Sequence, residues 1–289
     1  MIFGKFFNGS GLGNMLHRYI ATRVRALDLG VEWGMIYIDD GAGKEQGFKG
    51  KSFINIDESK IWPIRSFVTL TETKEWNEKK VRESGVDISP FDPEFFFIPD
   101  NTIIDGEFQS EQIWEHREKD VNEWLKVEPL EVPDDTCVIG FRGGEFSLYP
   151  DLFLTKEYWE EAMNLMVKKH GIKKFEVHTD DEILAREFFG NVPVIHDIGV
   201  NWRSMRYAKY AIIANSSFFI LPRWLRDGEE HAVGATYETF GTDKDSNGRP
   251  IAALKMIRNS VTIAPRYWGR RNTKVWSLPQ NFTKRFHYI

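Results

Sequence analysis

The chain has 289 residues, of which 42% are hydrophobic and 28% are charged, and its formal net charge is -5 at pH 7. This length predicts two domains of about 100–150 residues each. The acidic balance argues against a nucleic-acid partner, because such surfaces normally carry a basic face. The single cysteine, Cys137, excludes an intramolecular disulfide framework and fits a reducing compartment. Since no apolar run approaches the ~20 residues of a membrane span and no signal-peptide pattern is visible, we predict a cytoplasmic protein without a transmembrane segment.

A glycine turn follows the first predicted strand. Residues 8–18 contain Gly9, Gly11 and Gly13 and lead into a helical pattern. Such a turn lets a phosphate or a sugar approach backbone N–H groups at the positive end of a helix, although it also serves as a plain tight turn. Asn14 occupies the place of the third glycine of the dinucleotide-binding fingerprint, so the turn does not match that motif.

Strand-like and helical stretches alternate through the first half of the chain. Apolar runs predict strands at residues 31–38, 52–57, 67–71 and 102–106. A helical pattern then covers residues 110–124. This alternation is typical of a parallel sheet built from βαβ units.

A polar stretch with two prolines, residues 128–135, divides the chain. It predicts a domain boundary at about residue 133. The N-terminal α/β domain then covers residues 1–133 and the C-terminal α/β domain residues 134–289. In the second domain, patterns predict strands at residues 137–141, 175–178, 192–195 and 211–214, and helices at residues 156–168, 182–189 and 202–209.

Polar residues follow three of the predicted strands in the second half. Ligands of open α/β sheets bind beyond the carboxyl ends of the strands, so these residues are candidates for a binding site. After the strand at 137–141 comes Arg142, whose planar fork of donors can hold a diphosphate, and then Glu145, a candidate general base or a solvated side chain.

The other two clusters contain small polar side chains. Asp180 and Asp181 can bind ribose hydroxyls or base N–H groups, with helix N-capping as the alternative role. Asn215, Ser216 and Ser217 offer donors to phosphate oxygens, or serve as a turn or cap. We predict no metal ion, because the seven histidines lack ligand spacing and the two aspartates are not separated as in the metal-binding Asp-x-Asp motif.

The order of these motifs resembles the α-1,2-fucosyltransferase family and its α-1,6- and protein O-fucosyltransferase relatives. Residues 11–16 (Gly-Leu-Gly-Asn-Met-Leu) resemble the family's Gly-Leu-Gly-Asn-Gln-Leu-Phe, and residues 106–110 its Gly-Tyr-Phe-Gln-Ser. Residues 140–146 stand where the family has His-x-Arg-Arg-Gly-Asp-Tyr. Residues 179–181 resemble its Ser-Asp-Asp, and residues 212–218 its Ile-Ile-Ala-Asn-Ser-Thr-Phe.

The resemblance implies two Rossmann-like domains that face a cleft, the GT-B glycosyltransferase architecture, with the acceptor side in the first domain and the nucleotide-sugar donor side in the second. It implies an inverting enzyme that transfers L-fucose from GDP-fucose to a hydroxyl of a glycan or glycolipid acceptor, without a metal or other cofactor. By the same resemblance, Arg142 binds the diphosphate leaving group and Asp180 lies near the guanosine. Gly13 and Asn14 lie near the donor, and residues 215–217 approach the phosphates.

Departures from the family pattern keep two alternatives open. Gly140 replaces the family's histidine, Gly143 its second arginine, and Phe219 the serine after the Asn-Ser-Thr-Phe segment. The chain is therefore also compatible with a non-catalytic relative that binds a nucleotide sugar or glycan, or with another sugar nucleotide as donor. A remote alternative is an NAD(P)-dependent oxidoreductase in which Asp39 binds a ribose.

Overall fold

The computed structural model describes residues 1–7, 9–38, 48–63, 73–79, 81–83, 86–88, 91–149, 152–226, 237–239, 254–256, 261–265, 282 and 286–289. Within these ranges the α-helices are α1 Leu12–Leu29, α2 Glu118–Trp124, α3 Lys156–His170, α4 Glu182–Phe189, α5 Ile198–Tyr207 and α6 Ser217–Arg226. The strands are β1 Ile2–Phe7, β2 Trp33–Ile38, β3 Ile61–Pro63, β4 Lys74–Asn77, β5 Val81–Glu83, β6 Val86–Ile88, β7 Thr102–Asp105, β8 Thr136–Phe141, β9 Lys174–Thr179, β10 Val194–Ile195, β11 Tyr210–Ile213, β12 Tyr237–Thr239, β13 Leu254–Met256, β14 Val261–Ala264 and β15 His287–Tyr288.

Two parallel sheets organise the chain. The first has the strand order β3-β2-β1-β7-β4, and the second has the order β10-β9-β8-β11-β14-β15. All pairings within both sheets are parallel. Every residue of β8 is buried, as expected for a central strand with both faces covered. The predicted fold class, α/β with two Rossmann-like units, is confirmed.

Two of the predicted elements in the first half are wrong. Residues 52–57 form no strand, because the N–H groups of Phe53 and Ile54 bond back to the carbonyl of Gly50 in a local turn. Residues 110–124 form two 3₁₀ turns before α2 begins. The interruption is at Trp114, whose backbone leaves helical geometry while its ring is fully buried. The predicted strand at 67–71 lies outside the described residues.

The helix α6 connects the two halves of the chain. It follows β11 of the second sheet and contacts α1 of the first half and α5 of the second. The indole Nε1 of Trp224 on α6 donates to Oε2 of Glu111 at 2.9 Å, and the Trp224 ring packs edge-on against Trp114 at 5.9 Å. All three side chains are buried. No helix or strand lies between Trp124 and Thr136, but the division at residue 133 stays a prediction.

Among the helices in the described part of the chain, none combines the length and apolar composition of a membrane span.

Candidate functional site

Arg142 and Asp180 form an ion pair at the carboxyl edge of the second sheet. They follow the neighbouring parallel strands β8 and β9, whose last residues, Phe141 and Thr179, are register partners. Nη1 of Arg142 pairs with Oδ2 of Asp180, and Nη2 donates to Oε1 of Glu145 at 3.2 Å. The structure therefore brings three of the predicted site residues into one cluster, at the position where α/β proteins bind ligands.

The loop after β8 is built around the Asp180 carboxylate. Its Oδ1 accepts a hydrogen bond from the N–H of Gly143 at 3.0 Å. At Gly144 the backbone has φ of +20°, and a Cβ there would lie 2.2 Å from Oδ2 of Asp180, so a larger residue does not fit. Burial lowers the pKa of Arg142, while the nearby Glu145 carboxylate raises it. The result is a fixed, partly buried guanidinium whose outer partner, Glu145, is 68% exposed and free to move aside.

Asp181 serves as a helix cap. Its Oδ1 accepts a hydrogen bond from the N–H of Leu184 at 3.0 Å, at the N-terminus of α4. Its own N–H donates to the Thr179 hydroxyl at 2.9 Å. The capping role that the sequence left open for this cluster thus belongs to Asp181, whereas Asp180 faces Arg142.

We expect Asp181→Ala to lower the free energy of unfolding by about 1 kcal/mol, the usual cost of losing an N-cap side chain. Chemical denaturation of the variant and of the wild type measures this change. Asp180→Asn is the matched variant at the adjacent position, and it should weaken the Arg142 pair without affecting the cap. Equal stability of Asp181→Ala and wild type would contradict the capping role.

The glycine turn packs directly against the N-terminus of α6. A Cβ at Gly13 would lie 2.4 Å from the backbone N of Phe218 and 2.6 Å from Oγ of Ser217. By contrast, a Cβ at Gly11 would meet no atom within 4 Å. Gly13 therefore permits a close approach between two helix N-termini from different halves of the chain, and this contact requires a residue without a side chain.

Asn14 links the same two segments. Its Oδ1 accepts hydrogen bonds from Oγ of Ser217 at 2.6 Å and from Nε2 of Gln109 at 3.1 Å. Gly13, Asn14 and Ser217 thus form a second group of predicted site residues. This group joins the first half to α6.

Asn215 and Ser216, which precede Ser217 in the chain, are both buried. Nδ2 of Asn215 donates to the carbonyl of Leu152 at 2.9 Å, and the carbonyl of Ser216 accepts the N–H groups of the first turn of α6. Both residues follow β11, which pairs with β8 on the side opposite β9. The two groups of site residues therefore lie along one edge of the second sheet, while Asn215 and Ser216 have structural partners.

The absence of a side chain at Gly140 makes room for the ring of Phe219. A Cβ at Gly140 would lie 2.7 Å from the Phe219 ring, so this ring occupies the volume of any side chain at position 140. At Gly143 a Cβ would lie 2.7 Å from Cβ of Asp181 and 3.2 Å from the Phe141 ring. Neither position has room for a side chain, which explains why both are glycine.

Sequence reasoning missed His17, one turn after Gly13. Its Nδ1 donates to the Gly13 carbonyl at 2.8 Å, and its ring packs 5.1 Å from that of Trp114. Burial lowers the pKa of His17 to about 4, so the ring is neutral at pH 7 and supports the turn without charge. The sequence signal for this role is the position of His17 on the buried side of the helix α1.

Two further predicted features concern metals and nicotinamide cofactors. In the described ranges there is no group of three or more His, Cys, Asp or Glu residues arranged to hold a metal ion. Asp39, the ribose ligand of the oxidoreductase alternative, lies outside the described residues.

Comparisons with known proteins found similarity at the level of structure. No protein-family model matches the chain, and no curated protein sequence is significantly similar to it. The structure is similar to NodZ alpha-1,6-fucosyltransferase soaked with GDP-fucose, at 11% identity and a TM-score of 0.44, over 78% of this chain and 92% of that one. It is similar to the fucosyltransferase NodZ from Bradyrhizobium at 11% identity and a TM-score of 0.45, over 78% and 93%.

A heptosyltransferase gives a similar result. E. coli WaaC with ADP-2-deoxy-2-fluoro heptose matches at 10% identity and a TM-score of 0.45, over 100% of this chain and 93% of that one. At these TM-scores the similarities assign neither a family nor an activity.

Proposed function

We propose that the chain is an inverting glycosyltransferase of GT-B architecture that transfers L-fucose from GDP-fucose to a hydroxyl of a glycan or glycolipid acceptor. The observation that carries the proposal is the Arg142 guanidinium at the carboxyl edge of the second sheet, where Asp180 orients it and the exposed Glu145 can leave it. The resemblance of the ordered motifs to the fucosyltransferases adds the identity of the donor. We further propose that its partners are the nucleotide sugar and the acceptor, and that it works in the cytoplasm, whose reducing conditions fit its single cysteine.

The proposed mechanism of sugar transfer depends on the positive charge of the Arg142 guanidinium. As the bond between the sugar C1 and the diphosphate breaks, the ring gains oxocarbenium character and negative charge grows on the departing phosphate. A fixed guanidinium stabilises that charge without having to reorganise. The acceptor hydroxyl attacks C1 from the opposite face, loses its proton, and inverts the anomeric carbon. Glu145 is the candidate to take that proton.

The paired helix N-termini support an anionic ligand nearby. The first turns of α1 and α6 meet at Gly13 and Ser217, and each helix carries partial positive charge at that end. Such ends favour phosphate groups. Ser217 follows β11 at the same carboxyl edge of the second sheet as Arg142, which follows the neighbouring strand β8.

We expect GDP to raise the melting temperature of the protein more than UDP, CDP, NAD or NADP, with no metal added. A ligand present at one hundred times its Kd stabilises the folded state by about 2.7 kcal/mol. Thermal-shift curves with each nucleotide, with and without EDTA, measure this effect. A shift with NAD alone, or one that EDTA abolishes, contradicts the proposal.

Turnover separates an enzyme from a relative that only binds. An active transferase should release GDP from GDP-fucose, whereas a non-catalytic relative should bind GDP-fucose and leave it intact over hours. Mass spectrometry of the nucleotide pool after incubation distinguishes the two.

A further inference from the structure

A buried histidine, His178, lies in β9 two residues before Asp180. Its side chain is completely shielded from solvent, and both of its ring nitrogens have a polar partner. Nδ1 lies 2.9 Å from Oδ1 of Asn201 on α5, and Nε2 lies 2.8 Å from Oε1 of Glu176. The mechanism proposed above uses neither His178 nor these two partners.

The amide of Asn201 has a fixed orientation. Its Nδ2 donates to the backbone carbonyl of Thr179 at 3.0 Å. A carbonyl oxygen only accepts hydrogen bonds, so the NH₂ end of the amide must face Thr179 and the oxygen must face His178. That amide oxygen also only accepts. Nδ1 of His178 therefore carries a proton and donates it to Asn201.

The second ring nitrogen of His178 is also a donor. The hydrogen bond from His178 lowers the pKa of Glu176, although partial burial opposes the shift, so Glu176 is a carboxylate at pH 7. A carboxylate has no proton to donate, so Nε2 must donate to it. With protons on both nitrogens, His178 is an imidazolium. The charge-assisted bond to Glu176 and the bond to Asn201 compensate for the burial of its charge.

The contacts of His178 continue to the candidate site. Asn201 holds the Thr179 carbonyl, which belongs to the peptide group that joins Thr179 to Asp180. Because a peptide group is planar, a fixed carbonyl fixes the start of the Asp180 backbone. The Asp180 carboxylate in turn pairs with Nη1 of Arg142. A continuous series of hydrogen bonds and one peptide group thus joins His178 to the Arg142 guanidinium.

We propose that His178 is a positioning residue that, as an imidazolium, holds Asp180 in the orientation that directs Arg142. The charge is needed because Glu176 keeps a proton on Nε2, so a neutral ring would have none on Nδ1. Nδ1 and the Asn201 oxygen would then be two acceptors facing each other. The amide would have to turn over, and the carbonyl before Asp180 would lose its donor. The effect on the donor diphosphate rests on the function proposed above, whereas the hold on Arg142 does not.

The first test is NMR of the full chain with isotope-labelled histidine rings at pH 7, assigned through the backbone. We expect both ring nitrogens of His178 to carry protons. His17 is the internal control, because burial lowers its pKa to about 4 and only its Nδ1 donates, to the Gly13 carbonyl. A His178 ring with one bare nitrogen at pH 7 would overturn the proposal.

Asn201→Asp separates the hold on the turn from the charge of His178. The variant keeps an oxygen that accepts from Nδ1 of His178 but removes the donor to the Thr179 carbonyl. We expect His178 to stay doubly protonated while the guanidinium NMR signals of Arg142 shift and broaden. Those of Arg18, which is paired with carboxylates of the first half, should match the wild type. A general loss of structure would change the signals of both arginines.

Isothermal titration with GDP measures the consequence for the donor. Asn201→Asp should weaken GDP binding by about twofold to thirtyfold, the range for a residue that acts through a network of contacts. Asn164→Asp is the matched control, because it makes the same substitution at an exposed position of α3 and should bind GDP like the wild type. Equal losses in both variants would overturn the role of His178, since added negative charge would explain them.

The outcomes separate this proposal from the proposed function. If Arg142→Ala weakens GDP binding but Asn201→Asp binds like wild type with unchanged Arg142 signals, the role of His178 is overturned and the proposed function stands. If wild type binds no GDP, UDP, CDP or ADP while Asn201→Asp still shifts the Arg142 signals, the proposed function fails and the hold on Arg142 is confirmed.

Discussion

Arg142→Ala should lower kcat for sugar transfer by about 10²–10³-fold, the usual effect of removing one preorganised donor that stabilises developing charge. The guanidinium should contact the leaving phosphate most strongly in the transition state, so the loss should appear in kcat more than in ground-state donor binding. Steady-state kinetics with GDP-fucose and an acceptor, together with donor hydrolysis, measure both quantities.

Arg142→Lys is the informative companion variant. It keeps the positive charge but loses the fork that engages Asp180 and the phosphate together, so it should also be severely impaired. Melting curves of both variants verify folding. A folded Arg142→Ala protein that turns over like wild type would remove the central residue of the mechanism.

Gly13→Val should destabilise the protein by about 3 kcal/mol, the upper end of the range for overpacked sites. The added side chain would meet the backbone of Ser217 and Phe218, which cannot move aside as a flexible side chain can. Urea denaturation followed by fluorescence measures the change. Because the contact joins α1 to α6, GDP binding should weaken as a secondary consequence.

Gly11→Ala is the matched control for this contact. A Cβ at Gly11 meets no atom within 4 Å, and the backbone there has φ of -66°, which alanine adopts readily. We expect it to change stability by less than about 1 kcal/mol, because only the N-cap preference differs. If Gly13→Val is as stable as wild type and loses only nucleotide binding, the turn faces the ligand rather than α6.

Strands and helices whose sequence pattern is local, such as β8 and α4, were predictable from the sequence. The all-apolar segment of β8 and the polar residues after it identified a buried strand and a site edge. The boundaries of α4 were also predictable, since its apolar pattern starts directly after an aspartate that caps it. The region of residues 110–124 was not, because the burial of Trp114 against Trp224 overrides its helical pattern.

The candidate site was only partly predictable, because its contacts join distant parts of the sequence. Arg142, Glu145 and Asp180 could be grouped, since parallel strands place their ends along one edge. The packing of Gly13 against Ser217 could not be predicted from either segment alone, because Gly11 and Gly13 look equivalent in the sequence and only Gly13 contacts α6.

Release of GDP from GDP-fucose is the measurement that tests the account most directly. Wild type and Arg142→Ala are incubated with the donor without metal, with and without a panel of glycan acceptors, and free GDP and the anomeric form of the product are followed by NMR. We predict GDP release by wild type, stimulation by an acceptor, inversion at C1, and a loss of about 10²–10³-fold in Arg142→Ala. Donor that remains intact with folded wild type, or release that does not depend on Arg142, would contradict the account.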